Sequence, residues 1–435
     1  MNYKIHRGTQ EIGGSCVELW TENTRILLDF GMPLVEKDGS EFNFKKYEKL
    51  DSVELISKGV LPNIKGLYKN EDPEVDAIII THPHADHYGF LDYIHEDIPV
   101  YMGEATHKLI ELSNIFLPQN INLENVCYYK KDEPFKVGDI NITPYGMDHS
   151  AFDAYALLVE ADGKRLFYSG DFRSHGRKGN VFQRFLNNPP KNIDHLLMEG
   201  TTIGRGKQIS RTEVDIENEM YEKFKEPGKL NLVYASGQNI DRIVSIYKAC
   251  KKAKKTLVMD VYVANIMKTL SEFASLPHPS SRFKDIKVCF PYFTGKRLKR
   301  QNREDLMYKF KSYKVTRQEI DQDPSKYVMI VRGSMQKELD LMENIDGGNF
   351  IYSMWEGYLK KKNTKEFVEH MENDKAFNTS IIHTSGHADI QALQELAEAV
   401  DPKFIVPIHT FDGDKYKDIF KGQILELKDG EEVSL

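Results

Sequence analysis

The segment Thr81-His82-Pro83-His84-Ala85-Asp86-His87 packs three imidazoles and a carboxylate into six positions directly after an apolar run. Two imidazoles two residues apart can point at one metal, and the carboxylate and third imidazole just after them can turn to a second. Neutral imidazole with carboxylate suits zinc, or manganese at a more oxygen-rich site. Four ligands cannot complete two metal sites, so others must come from elsewhere in the chain. His149 in Met147-Asp148-His149-Ser150, Asp171 in Ser169-Gly170-Asp171 and His409 in Pro407-Ile408-His409-Thr410 each sit where a loop leaves a strand-like run. Such loop positions on a rigid sheet are the usual place for a site. Singly, each reads as a satisfied polar residue at a strand end. As a set with the first four they match what a dimetal centre requires. Asp29, in Leu28-Asp29-Phe30-Gly31, is either a carboxylate that orients a liganding histidine or the cap of a turn. The residues alone leave both readings open.

Positioning these side chains takes strands whose ends converge. In the first 200 residues Arg25–Phe30 runs into Gly31 and Val75–Ile80 into Thr81, while His195–Met198 ends at Glu199-Gly200. Tyr155–Glu160 and Arg165–Tyr168 flank Asp162-Gly163, a hairpin signal. From about residue 229 the pattern alternates between strand and helix. Strands are predicted at Leu230–Tyr234, Thr256–Asp260, Tyr327–Val331 and Phe350–Met354, with helices at Asn239–Ala253, Ala264–Phe273 and Lys337–Asn344. Such alternation implies a parallel sheet with covering helices. Pro277–Arg303, rich in prolines, aromatics and basic residues, reads as an irregular excursion. The final part returns to the first texture, with strands Ser380–Ile382 and Phe404–Pro407 around a helix at Asp389–Val400. The chain is thus expected to form one α/β domain, 1–202 and 378–435, interrupted by an inserted α/β domain, 203–377.

A length of 435 residues suits two domains and needs no disulfide staples. Cys16, Cys127, Cys250 and Cys289 are widely spaced and form no CxxC pair, which argues against a disulfide framework and a thiolate zinc site. No apolar run is long enough to span a membrane. The start, Met1-Asn2-Tyr3-Lys4-Ile5-His6, has no apolar signal core, so a cytoplasmic protein without membrane contact is expected. The net charge of −7 hides an asymmetry: residues 201–377 hold 33 Lys/Arg against 24 Asp/Glu, and the remainder 26 against 42. That pattern fits a basic face for a polyanion beside an acidic metal-binding body, although basic runs also serve simply to solvate helices. In Lys284–Arg303, Lys296-Arg297-Leu298-Lys299-Arg300 lies near Phe290, Tyr292 and Phe293. Cations beside aromatics suit a single nucleic-acid strand, or else an exposed loop with its aromatics in the core. Lys251-Lys252-Ala253-Lys254-Lys255 reads as a helix C-terminus, and the aromatic stretch Tyr352–Tyr358 as core packing.

The HxHxDH run, followed in order by His149, Asp171 and a late histidine, resembles the metallo-β-lactamase superfamily. With the inserted α/β domain, the whole chain resembles its β-CASP branch, nucleases that include ribonuclease J. The resemblance implies a metallo-β-lactamase αββα sandwich interrupted by a β-CASP domain. It implies that His82, His84 and His149 hold one metal, that Asp86, His87 and His409 hold the other, and that Asp171 bridges them. Glu199 in Met198-Glu199-Gly200-Thr201 matches the family's first added acid, and His387 in His383-Thr384-Ser385-Gly386-His387 its second motif. The third, a histidine in RNA-processing members and usually a valine in DNA-processing ones, matches His409.

What this implies is a metal-dependent ribonuclease, exo- or endonucleolytic, acting on single-stranded RNA with two zinc ions (or manganese). Asp86 would orient a dimetal-activated hydroxide, and His387, supported by Glu199, would protonate the leaving oxygen. Ribonuclease J members also form a 5′-phosphate pocket from a Gly-Ser-x-Gly-Glu segment and a His-x-Ser-Gly-His stretch. Here the first reads Gly333-Ser334-Met335-Gln336-Lys337-Glu338, so only its Gly-Ser is retained, while His383 and Ser385 fit the second. Only Thr410–Leu435 follow His409, leaving no room for the extra C-terminal domain of bacterial ribonuclease J, so a homo-oligomer would use another surface. The alternatives are a DNA nuclease, against which His409 speaks, a small-molecule metallo-hydrolase, for which the long insertion has no use, and a silent scaffold, which would have lost ligands.

Overall fold

A computed structural model of the chain describes residues 1–36, 39–206 and 211–435. The chain divides into two compact units. One comprises Met1–Ile110, Asn120–Ile209 and Gly386–Leu435, and the other Glu111–Gln119 and Ser210–Ser385. The continuous part of the second unit is Ser210–Ser385, close to the expected 203–377, and the unit also takes in Glu111–Gln119, which includes the end of a helix that the sequence does not flag.

The first unit is built on two seven-stranded sheets among the described residues. One runs in the order Glu432–Ser434, Asn2–Arg7, Cys16–Trp20, Arg25–Leu28, Ala77–Ile79, Val100–Met102, Val126–Tyr128. The other runs Gln423–Ile424, Phe404–Ile408, His195–Glu199, Lys164–Tyr168, Tyr155–Ala161, Ile140–Gly146, Phe135–Val137. Side chains alternate across each strand, and here both faces are apolar. Ile26, Leu28, Ala77 and Ile79 pack with Leu157, Val159, Leu166, Leu197 and Val406 between the sheets. Their neighbours Leu27 and Ile78 face outward, into a cluster with Leu55 and Ile110 of the helices Ser52–Ser57 and Glu104–Phe116. On the far side, Phe167, Leu196 and Met198 meet Phe182 and Phe185 of the helix Gly179–Asn187 and Leu393 and Leu396 of Ile390–Val400. The layers are thus helix, sheet, sheet, helix. Asp389 caps the last of these helices on the Ala392 N–H at 2.9 Å, and Asp401 ends it in a left-handed turn before Pro402.

The second unit holds six parallel strands in the order Ile286–Cys289, Thr256–Asp260, Tyr327–Val331, Asn231–Tyr234, Asn349–Tyr352, Asn378–Ile381. Every residue of Tyr327–Val331 is buried, as a central strand covered on both faces requires. The helix Ile240–Lys252 starts on an Asn239 cap and ends with Lys251 and Lys252 in its last turn, where cations complement the dipole.

Three expectations are corrected. The stretch expected to be irregular, Pro277–Arg303, contains the edge strand Ile286–Cys289 and the helix Tyr292–Arg300. The helix expected over Lys337–Asn344 is the shorter Gln336–Asp340. In the aromatic stretch expected to pack in the core, Tyr352 is fully buried but Trp355 is 41% exposed.

Candidate metal centre

Asp171, Glu199 and His409 leave one edge of the second sheet because the strands that end before them, or at them, run parallel. Tyr168 lies opposite Leu197, and Glu199 opposite Ile408. The strand Ile140–Gly146 is antiparallel to Tyr155–Ala161, which is antiparallel to Lys164–Tyr168, so His149 emerges at that same edge. On the facing sheet Arg25–Leu28 and Ala77–Ile79 are parallel, and their ends bring Asp29 beside Thr81 and the histidine run. The run itself turns into the short helix Ala85–Tyr88. Gly31 allows this turn: a Cβ there would stand 1.7 Å from the Asp86 carbonyl oxygen.

The ligand-type atoms gather into groups that share one carboxylate. His82, His84, His149 and Asp171 offer donor atoms all within 4.8 Å of one another, and so do Asp86, His87, Asp171 and His409. His84 Nδ1 is 3.2 Å from His82 Nε2 and 3.1 Å from His149 Nε2. Two nitrogens bound tetrahedrally to one zinc at about 2.0–2.1 Å stand roughly 3.3 Å apart, so this spacing fits atoms that could share one metal. His87 Nε2 lies 3.3 Å from Asp171 Oδ2, and His409 Nε2 lies 3.4 Å from Asp86 Oδ2. Both carboxylate oxygens of Asp171 are buried without a hydrogen bond among the described residues. A buried carboxylate left without donors is costly, and a cation is what such a donor set accommodates.

Surrounding groups hold these ligands in place. Asp29 Oδ2 accepts from His87 Nδ1 at 2.7 Å and from the Tyr168 hydroxyl at 2.9 Å, while its Oδ1 accepts the Thr81 N–H at 2.8 Å. It therefore both contacts a histidine of the run and ties a turn, and its own φ is +58°. The Thr201 hydroxyl lies 2.8 Å from His409 Nδ1, and the Thr81 hydroxyl 3.0 Å from His82 Nδ1. Neither threonine carries a signal in the sequence, since each acts only through a partner that the fold supplies. His409 itself has a φ of +53°, a strained conformation for a residue other than glycine.

His387 completes a third group with Asp171, Glu199 and His409. Its Nδ1 is 3.1 Å from Glu199 Oε2 and 3.5 Å from Asp171 Oδ2. The other Glu199 oxygen, Oε1, accepts the Phe172 N–H at 2.9 Å, which fixes the carboxylate. Burial pushes His82 and His149 well below the usual imidazole value and His84 down to about 4, so these three are neutral, the form that binds metals. Burial alone would raise Asp86, but the hydrogen bond from His409 and the charge of His87 hold it at about 2. His387 moves the other way. Burial disfavours its charged form, yet the neighbouring Glu199 and Asp171 carboxylates raise it above the ordinary value.

The remaining sequence candidates lie in the second unit. Ser334 is exposed in the turn after Tyr327–Val331, and His383 and Ser385 follow the strand Asn378–Ile381. These strands end at the same sheet edge but stand three places apart, about 14 Å at the usual strand spacing. His383 Nδ1 is 3.4 Å from the buried Arg242 guanidinium, and its carbonyl accepts from Arg211 at 2.6 Å.

Residues 59–233 match the family model of a β-lactamase superfamily domain. Among characterised proteins the chain is 23% identical to ribonuclease J of Mycoplasma genitalium, over 92% of this chain and 66% of that one. It is 28% identical to transcription termination factor FttA of Methanothermobacter thermautotrophicus, over 53% and 37%. To an RNase J-like protein of Methanocaldococcus jannaschii it is 26% identical, over 51% and 48%. The chain thus spans two thirds or less of the length of these relatives. In fold it is similar to the crystal structure of a protein of unknown function from Enterococcus faecalis, with a TM-score of 0.79 over 100% of this chain and 99% of that one at 21% identity.

Proposed function

We propose that this chain, a ribonuclease J-like member of the β-CASP branch of the metallo-β-lactamase fold, is a metal-dependent nuclease that hydrolyses phosphodiesters of single-stranded RNA. The observation that carries this reading is the pair of ligand groups around one buried, hydrogen-bond-free carboxylate, Asp171, with His387 beside it. His82, His84 and His149 would hold one zinc and Asp86, His87 and His409 the other, with Asp171 between them; manganese is the alternative metal. When bound, such a pair supplies Lewis acidity that activates water and neutralises phosphoryl oxygens. Asp86, held ionised, accepts a hydrogen bond from the attacking water or hydroxide and so orients it. His387, kept protonated by Glu199 and Asp171, delivers a proton to the departing ribose oxygen. The Phe172 N–H anchors Glu199 so that His387 is held in place for that transfer. RNA is favoured as substrate by the basic balance of residues 201–377 and by the relatives named ribonuclease J.

No helix among the described residues is long and apolar enough to cross a membrane. All four cysteines are free thiols, which supports a reducing compartment, and we place the protein in the cytoplasm. The test is to incubate the metal-analysed protein with 5′- and 3′-labelled RNA and DNA in zinc or manganese and to size the products. Two metals per chain and preferential cleavage of RNA are expected. Loaded protein that cuts no RNA, or cuts DNA faster, refutes the proposal.

A further inference from the structure

The second unit contains a cavity of about 540 Å³ that no part of the proposed hydrolysis uses. It is within the usual size range of small-molecule sites. Cys289–Phe293 and Met335–Met342, which line it, follow the C-terminal ends of parallel strands, where α/β sheets bind ligands. Its floor is apolar, with Val315, Ile320, Met335 and Met342 buried. Its wall is aromatic: Phe290 lines it beside Phe293, which is 47% exposed. The rim carries Lys314, Arg317 and Lys337, none of which has a carboxylate at ion-pair distance among the described residues. Lys314 Nζ instead stands 5.5 Å from the Phe290 ring centroid, and Lys337 Nζ 5.1 Å from that of Phe293.

One acidic residue faces this basic, aromatic enclosure. Glu338 Oε1 accepts the Tyr292 N–H at 2.8 Å, but its Oε2 is buried with no hydrogen-bond partner among the described residues. A buried carboxylate oxygen asks for an N–H donor. A bare anion would be repelled by Glu338, and a purely apolar ligand would leave both the oxygen and the cations unmatched. A flat heterocycle bearing N–H groups on one edge and an anion at the other end matches all three features.

We propose that this cavity is a guanine nucleotide site. The base lies against Phe290 and Phe293 on the methionine floor, and its ring and exocyclic N–H groups donate to Glu338 Oε2 once a turn of the Glu338 side chain uncovers this oxygen to the cavity. The phosphate meets Lys314, Arg317 and Lys337. Guanine is preferred because its two adjacent donors face the carboxylate without an intervening carbonyl. Uracil would set carbonyls on either side of its single N–H against the same oxygen. The nucleotide is either free or part of an RNA strand. The site is separate from the metal centre and does not depend on the nuclease reading.

Equilibrium dialysis of 5′-GMP against the full, metal-loaded chain tests this, with AMP and UMP as comparisons and EDTA as a second condition. One saturable site that prefers GMP and persists in EDTA is expected, since phosphate held at the metal centre would be lost there. Phe293→Ala should weaken binding about 5- to 150-fold, the worth of one base–aromatic stack. Glu338→Gln can keep its oxygen on the Tyr292 N–H while presenting an NH2 to the cavity, and should erase the preference for guanine. Lys337 is exposed, so Lys337→Gln tests the phosphate contact without risk to the fold, and should weaken binding and flatten its salt dependence. Displacement of GMP by a short oligoribonucleotide identifies the strand as the source, and its failure to compete identifies the free nucleotide. The proposal is overturned if neither ligand binds saturably, if binding vanishes in EDTA, or if Glu338→Gln and Lys337→Gln both leave it unchanged.

Discussion

Asp29 accepts hydrogen bonds whose donors cannot all turn away, and this makes Asp29→Asn a sharp probe of the metal centre. The Thr81 N–H is fixed by the backbone, and it points at Oδ1 from 2.8 Å. His87 Nδ1 and the Tyr168 hydroxyl converge on Oδ2. An asparagine can place its oxygen on only one side. If the oxygen faces Thr81, the NH2 group meets His87 Nδ1, which must then accept, moving its proton to Nε2. That nitrogen is the one turned toward Asp171, and a protonated nitrogen binds no metal. If the amide flips, two donors collide at Thr81. Either outcome leaves one buried donor poorly matched, worth about 1–3 kcal/mol of fold stability. Loss of a group that orients a ligand typically costs 10–100-fold in metal affinity, about 1.4–2.7 kcal/mol. The loss should fall chiefly on the metal that His87 faces, and less on the one facing His82, His84 and His149, which Asp29 reaches only through the Thr81 hydroxyl beside His82. Titration with a competing chelator, read by elemental analysis, should show one metal released at lower chelator concentration while the other stays. Two unchanged affinities in a variant of unchanged melting temperature would refute the assignment of Asp29, and equal loss of both would refute its selectivity.

His387→Ala should retain both metals and lower turnover on RNA about 10²–10⁴-fold, the usual worth of a general acid. It should affect bis-nitrophenyl phosphate much less, because phenolate leaves unaided; equal losses on both substrates would exclude the acid role. Gly31→Ala forces a Cβ to within 1.7 Å of the Asp86 carbonyl oxygen. Urea denaturation should show destabilisation toward the upper end of about 1–3 kcal/mol, with metal loss; an unchanged midpoint would mean that the loop shifts freely. Neutralising Lys296, Arg297, Lys299 and Arg300 should flatten the salt dependence of RNA binding. Arg297 already donates to the Phe116 carbonyl, so the other three should account for the change, about two units of slope. An unchanged slope would place the binding surface elsewhere.

The clustering of the candidate ligands was legible wherever it was local. The histidine run follows its strand within a few residues, and Asp171, Glu199 and His409 each stand at or just past a strand end that hydrophobic patterning marks. Hydrogen bonds between distant residues were not legible: Thr201 reaches His409 across 208 positions, and nothing near Thr201 announces it. The edge strand Ile286–Cys289 was missed because only Ile286 and Val288 are buried and a lysine lies between them. Pro291 looked like a breaker, but it stands at the N-cap of Tyr292–Arg300, where a proline disrupts no helical hydrogen bond. Lys337–Asn344 looked longer than the observed helix because buried Leu339 and Met342 keep a helical spacing after the helix has ended at Asp340.

The strand His195–Glu199 lies between Lys164–Tyr168 and Phe404–Ile408. During synthesis its first neighbour is already present, but its second emerges about 200 residues later, a delay of roughly 10–40 s at ordinary translation rates. Over that interval a strand whose five residues are all buried in the finished protein is a bare edge, the kind that pairs with other chains. The ribosome-bound intermediate should therefore need protection from a holding chaperone. The candidate ligands contributed before residue 200 can gather early, but His409 cannot join them until Phe404–Ile408 has paired with His195–Glu199. On the proposed assignment, full metal loading would therefore report that the nascent chain has completed that edge.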